Sequence, residues 1–298
     1  MRAPTPTEQL ASGGLHCLGL TKAFRRTRVL DGLTLDLSPG DRVALIGSNG
    51  AGKTTLIRCL LGEYEYEGEV RIGGLDPRRD RASLLARVGF VPQLPPPLRM
   101  PVGRLLEFAA AVCGTDPARM AAMAARLGLE TGPIADRPFA RLSGGMKQKI
   151  LIAIALGRDA DLLLMDEPAA NLDPAARQAF FELLSERAGR ATMLISSHRL
   201  DEVATLVNRV VELDAGRVAL DDLVAGDDAL GVLLHCRLSL LRPEPMLALA
   251  LSAWGLEAAA DALTWEGRIA AADRMRFVGT LTRYMGAVGS LSLREADA

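Results

Sequence analysis

Short apolar runs, each halted by glycine, proline or a carboxylate, alternate along the chain with longer stretches of helical spacing. Val43-Ala44-Leu45-Ile46, Val88-Gly89-Phe90-Val91 and Leu162-Leu163-Leu164-Met165 are such runs. They predict strands buried on both faces, as in a parallel sheet covered by helices. Ala191 to Ser197 adds a further strand, closed by His198. Between Leu15 and Leu37 the apolar positions alternate instead, at Leu18, Leu20, Val29, Leu33, Leu35 and Leu37, with a basic break from Lys22 to Arg28. That pattern predicts two or three antiparallel strands. A turn over Tyr64 to Gly68 leads into a short strand, Glu69 to Ile72.

Prolines at 95, 96, 97 and 101 continue neither a sheet nor a helix interior, so they open a different subdomain. Val102 to Gly114 and Pro117 to Leu127 have helical spacing, with Thr115 and Asp116 as a cap before Pro117. Residues from about 95 to 157 therefore read as a helical insertion. Val210 to Leu213 and Val218 to Leu220 flank an Asp214-Ala215-Gly216-Arg217 turn and predict a hairpin. Beyond it the order is strand (Val232 to Ser239), helix (Pro245 to Ala253), two strands (Leu256 to Leu263, Thr264 to Ala271), helix (Asp273 to Met285) and strand (Val288 to Arg294). A βαββαβ order of this kind predicts a small α+β ferredoxin-like domain. The expected division is a loose tail over 1–14, a nucleotide domain over 15–225 and an accessory domain over 226–298.

Composition narrows the class. With 298 residues, 49% of them hydrophobic, the chain can bury a large core and a smaller one. Its 35 basic and 36 acidic residues nearly cancel, so no nucleic-acid partner is expected. Cys17, Cys59, Cys113 and Cys236 are far apart and form no C-x-x-C pair, which predicts reduced packing thiols. Met1 to Gly14 lacks the apolar stretch of a signal peptide. The longest uncharged runs, such as Pro245 to Leu256, stop near a dozen residues, short of a bilayer span.

Against that background one stretch carries chemistry. After the strand Val43 to Ile46 come Gly47, Ser48, Asn49, Gly50, Ala51, Gly52, Lys53, Thr54 and Thr55, then an apolar helical run. Glycines let the backbone turn tightly and gather N–H groups onto one concave face, where phosphate oxygens accept them. The helix that follows adds its positive N-terminal end. Lys53 can reach terminal phosphates, the Thr54 hydroxyl can ligate Mg²⁺, and Thr55 can add a donor. At the ends of other strands stand Gln93, whose carbonyl can face Mg²⁺, and the pair Asp166 and Glu167. Asp166 is placed to serve a metal, whereas Glu167 points the other way along the pleat and can take a proton from, or orient, a water. His198 closes the next strand and can donate to a phosphate oxygen.

Two further features admit more than one reading. Ser143-Gly144-Gly145 before the run Ile150 to Leu156 is either a plain helix cap or a second anion site. Phe24, between Lys22 and Arg28, is either a half-buried turn aromatic or a platform for a purine. Asn171-Leu172-Asp173-Pro174 reads as a turn that starts a helix.

Taken in order, these pieces resemble the ATP-binding cassette of ABC transporters over about residues 15 to 225. The resemblance implies a P-loop, RecA-like α/β core with an antiparallel β subdomain and a helical subdomain. It implies ATP and Mg²⁺ as cofactors and an ATPase reaction. By the same resemblance Gly47 to Thr55 is the Walker A loop, Phe24 the adenine-stacking position and Gln93 the Q-loop. Leu142 to Met146 is the signature, Leu162 to Asp166 the Walker B strand, Glu167 the catalytic base, Asn171 to Asp173 the D-loop and His198 the switch histidine. Met146 stands where glutamine is usual and Asn171 where a small residue is usual. Met146 followed by Lys147 and Lys149 is similar to the ATPases of ABC-2-type exporters. The implied assembly is a head-to-tail homodimer bound to a separate transmembrane permease, peripheral at the cytoplasmic face of the cell membrane. An importer ATPase with a regulatory C-terminal domain and a soluble non-transport ABC ATPase are the alternatives.

Overall fold

The computed structural model describes residues 14–197, 203–223, 233–270, 274–282, 284 and 286–295. His198 and residues 1–13 of the expected tail over 1–14 lie outside them. By their internal contacts the residues fall into two units, Met1–His198 with Arg209–Asp222, and Arg199–Asn208 with Leu223–Ala298.

The first unit holds two sheets. One is antiparallel, in the order β2-β1-β4, formed by β1 (Leu15–Phe24), β2 (Thr27–Leu37) and β4 (Glu67–Ile72). The basic break in the sequence proves narrower than expected, because the alternating pattern continues to Phe24 and resumes at Thr27. Only Arg25 and Arg26 turn, with Arg25 at φ +55°. The other sheet runs β5-β6-β7-β3-β8-β9, from β5 (Val88–Val91), β6 (Leu162–Asp166), β7 (Thr192–Ser196), β3 (Arg42–Gly47), β8 (Arg209–Asp214) and β9 (Arg217–Leu223). Its pairs β5·β6, β6·β7, β7·β3 and β3·β8 are parallel. Every residue of β6 and β7 is buried, which accounts for the unbroken apolar runs.

β3 is the strand at which the order reverses: β5, β6 and β7 lie to one side of it and β8 and β9 to the other. In open α/β sheets such a switch point, at the strands' carboxyl ends, leaves a crevice for ligands. The helix after β3 is α1 (Lys53–Leu60), whose buried face of Leu56, Ile57, Cys59 and Leu60 joins the core made by both sheets. A short helix, α2 (Arg81–Arg87), precedes β5; it buries only Leu84, too little apolar periodicity to be visible in the sequence.

The helical insertion is present as α3 (Val102–Cys113), α4 (Pro117–Arg126) and α5 (Gly144–Leu156). Asp116 caps α4 by accepting from the Ala118 N–H, and Pro117 occupies its first position. Val102, Leu105, Met120, Phe139 and Ile150 form a core of their own, separate from that of the sheets. α5 buries residues all round, as expected for a helix enclosed between two packing surfaces. α6 (Pro174–Ser185) follows the Asn171–Asp173 turn.

The second unit contains an antiparallel sheet in the order β11-β12-β10-β13, built from β10 (Leu233–Leu240), β11 (Glu257–Ala258), β12 (Thr264–Ala270) and β13 (Val288–Glu295). The helices α7 (Pro245–Ala253) and α8 (Arg274–Thr282) join them. The strand expected over Leu256 to Leu263 shrinks to Glu257–Ala258. Ala262 takes φ +54°, and the Asp261 carboxylate accepts from the Leu263 and Thr264 N–H groups and the Thr264 hydroxyl, making a tight turn in place of a ladder. Cys236, Leu238, Leu247, Leu251 and Phe277 fill this unit's core.

Candidate functional site

The loop from Gly47 to Gly52 owes its shape to close approaches that a side chain would block. At Gly47, φ +145°, a Cβ would strike the Leu213 carbonyl oxygen on β8. At Gly52, φ +110°, it would come within 2.8 Å of the Leu30 side chain. Gly52 is also the N-cap of α1, and no side chain caps that end, so the first-turn N–H groups are left for something else. With the helix dipole behind them, they suit an anion.

Around this end an open cleft is lined by Ser48–Gly50, Gly52–Thr55, Gln93 and Glu167, together with Val29. Residues from four separate parts of the sequence thus meet, and three of those parts, 48–55, 93 and 167, follow the carboxyl ends of parallel strands. Lys53 is only 6% exposed, and its ammonium donates to the Gly47 oxygen at 2.7 Å and the Ser48 oxygen at 3.2 Å. Burial pulls the Lys53 pKa below that of an ordinary lysine, while Glu167 and Asp166 pull the other way. A desolvated cation near two carboxylates, beside uncapped amides, is a site that gains from the arrival of a polyanion.

The Asp166 carboxylate and the Glu167 backbone are held by Ser196, which no sequence motif marks. Asp166, 3% exposed, accepts at 2.7 Å from the hydroxyl of Ser196 at the end of β7. The same hydroxyl oxygen accepts the Glu167 N–H at 2.9 Å. One buried serine therefore orients both the last residue of β6 and the peptide after it. Glu167 itself sits at φ +47°, left-handed and directly before Pro168. A non-glycine residue there, preceding proline, carries strain of ~1 to 3 kcal/mol, persisting only where the surroundings over-determine it.

Among the described residues no group of three His, Cys, Asp or Glu side chains could hold a metal ion. A cation at this site would need oxygens from its nucleotide, as Mg²⁺ does when it is held by one or two protein groups and substrate phosphates. Thr54 and Gln93 on the cleft wall and Asp166 at the end of β6 fit that donor set.

The remaining expected residues lie elsewhere. Ser143 caps α5, accepting the Met146 N–H at 3.2 Å, and Ser143 and Gly144 are exposed. A Cβ on Gly145 would come within 3.0 Å of the Asn171 oxygen, so this helix end abuts the Asn171–Asp173 turn and not the Lys53 cleft. Asp173 caps α6, accepting from the Ala176 N–H at 2.9 Å, and pairs with Lys149 of α5 at 2.8 Å. Phe24 is 41% exposed at the end of β1, where its ring meets the Tyr64 ring edge-on at 5.2 Å and the Lys22 ammonium at 4.9 Å; it is not among the cleft's lining residues. Among the described residues, no helix is long and apolar enough to cross a membrane.

Comparison with known proteins agrees with this geometry. The family profile described as ABC transporter matches residues 30–170. A Nod factor export ATP-binding protein I of Paraburkholderia xenovorans is 38% identical over 66% of this chain and 66% of its own length. The nickel import ATP-binding protein NikO of Rhodobacter capsulatus is 37% identical over 67% of this chain and 85% of the relative. An aliphatic sulfonates import ATP-binding protein, SsuB, of a Mycobacterium species is 38% identical over 68% of this chain and 80% of the relative. Among solved structures, one described as the ATP binding subunit of an ABC transporter superposes with a TM-score of 0.65 at 29% identity, covering 72% of this chain and 91% of that one.

Proposed function

Because the chain belongs to the ATP-binding cassette family of ABC transporter ATPases, we propose that it hydrolyses ATP in the Lys53 cleft and that two copies complete each other's sites. The meeting of Lys53, Gln93 and Glu167 in one cleft at the ends of parallel strands is the observation that supports this reading. Lys53 and the first-turn amides of α1 bind the terminal phosphates. Thr54, Gln93 and Asp166 would hold Mg²⁺, which would supply positive charge to offset that of the phosphates. Glu167 orients the attacking water and accepts its proton. His198 contributes a hydrogen bond to the γ-phosphate, and Phe24, freed from Tyr64, stacks on the base.

The Ser143 end of α5 belongs to the second half of the reaction. It is an exposed helix N-terminus away from the cleft of its own chain, so it serves the γ-phosphate of a nucleotide bound by another copy. Asp173 acts beside it by fixing the turn against α5 through Lys149. Glu167→Gln tests the assignment: ATP binding retained with turnover lost supports it, and undiminished hydrolysis removes Glu167 from the reaction.

Transport is powered through a permease on another polypeptide, with this subunit peripheral at the cytoplasmic face. The relatives named for nickel and sulfonate import favour an import subunit over the export role suggested by Met146, Lys147 and Lys149. The Nod factor export relative supports export as the second reading. Identifying the membrane protein that co-purifies with the chain, then measuring which way substrate crosses vesicles containing both, decides between them. For residues 226–298 we propose a ferredoxin-like regulatory domain, supported by the antiparallel order β11-β12-β10-β13 with two helices. Deleting it should leave ATP binding intact, and loss of binding would place the boundary elsewhere.

A further inference from the structure

Gln148 is fully buried on α5, the helix that Ser143 caps. Its amide nitrogen donates to the Pro168 carbonyl oxygen at 2.9 Å, one residue past Glu167. Its side-chain oxygen has no hydrogen-bond partner among the described residues. A half-satisfied buried amide is a poor choice for packing alone, since an apolar side chain of similar volume would leave no acceptor stranded. What the amide does make is a tether to the peptide segment that carries the left-handed Glu167.

That segment is fixed at several points. The Glu167 N–H donates to the Ser196 hydroxyl at 2.9 Å, and its carbonyl accepts the Ala170 N–H at 3.2 Å. The Gln148 bond to Pro168 adds a hold from a different subdomain, across 20 residues of sequence. We infer that Gln148 is a positioning residue: it keeps the Glu167 backbone in its strained conformation and links it to the N-terminal part of the helix that Ser143 caps. Removing the donor relaxes Glu167 away from the productive placement without touching the phosphate cradle. The inference rests on Glu167 being the proton acceptor proposed above.

Gln148→Met, close in volume and favourable in a helix, removes the donor and the stranded acceptor together. Steady-state ATP hydrolysis, thermal unfolding and nucleotide binding are measured for this variant, for Glu167→Gln and for the double variant. A roughly tenfold or larger fall in kcat is expected, with KM for ATP within about twofold and the melting temperature unchanged or raised, since misplacement by about an ångström costs of that order. In the Glu167→Gln background, Gln148→Met should slow the residual turnover no further, because both changes act through one group.

A kcat within twofold of the parent, while Glu167→Gln is inactive, overturns the inference and leaves the function assigned to Glu167 standing. So does a kcat loss matched by a lower melting temperature and a higher KM, or a multiplicative loss in the double variant. If Glu167→Gln hydrolyses ATP like the parent, the reading of Glu167 fails and this inference falls with it. Gln148→Leu is the second variant, and if neither folds, the amide is structural and the inference is wrong.

Discussion

Two helix N-termini in this molecule look alike in sequence and differ in structure. α1 begins after Gly52 with no side-chain cap, next to a buried lysine and two strand-end carboxylates. α5 begins after Ser143, which already satisfies the Met146 N–H, and its opening glycine is exposed with open space around it. The first end lies in a walled cleft that can capture a polyanion unaided. The second is exposed and lies away from the Lys53 cleft, and in the proposed dimer it completes a site on another copy. Glycine and hydroxyl content is common to the two ends, whereas uncapped amides and the buried Lys53 set the first apart from the second.

The comparison can be broken most severely at the cleft's carboxylate. Glu167→Gln should reduce turnover by ~10² to 10⁴-fold, as for loss of a general base, with ATP affinity preserved in equilibrium binding. Lys53→Met comes next: losing a charged donor should cost about 2 kcal/mol of ATP affinity, roughly 30-fold. Burial already depresses the Lys53 pKa, so the empty variant should melt no lower than the parent. A lower melting point would show that the bonds to the Gly47 and Ser48 oxygens outweigh the desolvation of the ammonium.

At the second helix end the effect is smaller and of another kind. Ser143→Ala should cost ~1 kcal/mol of stability through the lost cap and leave the first encounter with ATP unchanged. Turnover that depends on protein concentration should fall. Weakest is the Asp173 pair. The Lys149 ammonium and the Ala176 N–H hold the Asp173 carboxyl below the usual range. Its folded pKa is depressed, so its stabilisation is complete above the unfolded value of about 3.9 and vanishes as pH falls through the folded one. Lys149→Ala should move the acid-unfolding limb, followed by circular dichroism, slightly toward neutral pH.

Much of the fold is legible because its signals are local. Glycine spacing around Lys53, the wholly apolar β6 and β7 and the Asp116-Pro117 start of α4 are each decided within a few residues. The cleft's lining followed from strand ends, since β3, β5 and β6 are parallel and deliver Lys53, Gln93 and Glu167 to one edge. Ser196 was not legible: a serine ending a strand is common, and its partner Asp166 is 30 residues away. Gln148 hides for the same reason, as a polar residue inside an apolar helix whose bond is made to a distant backbone carbonyl. Nor did periodicity anticipate the Asp261 turn, because side-chain acceptance of backbone N–H groups overrides alternation.

In the proposed assembly, nucleotide is clamped between the lysine cradle of one copy and the serine-capped helix of another. Light scattering on purified Glu167→Gln protein, with Mg-ATP, with ADP and with neither, reads this clamping as a change in mass. A dimer is expected with Mg-ATP and not with ADP or without nucleotide, and Ser143→Arg, which obstructs the helix end, should abolish it. A protein that saturates with ATP and remains monomeric at every concentration contradicts it.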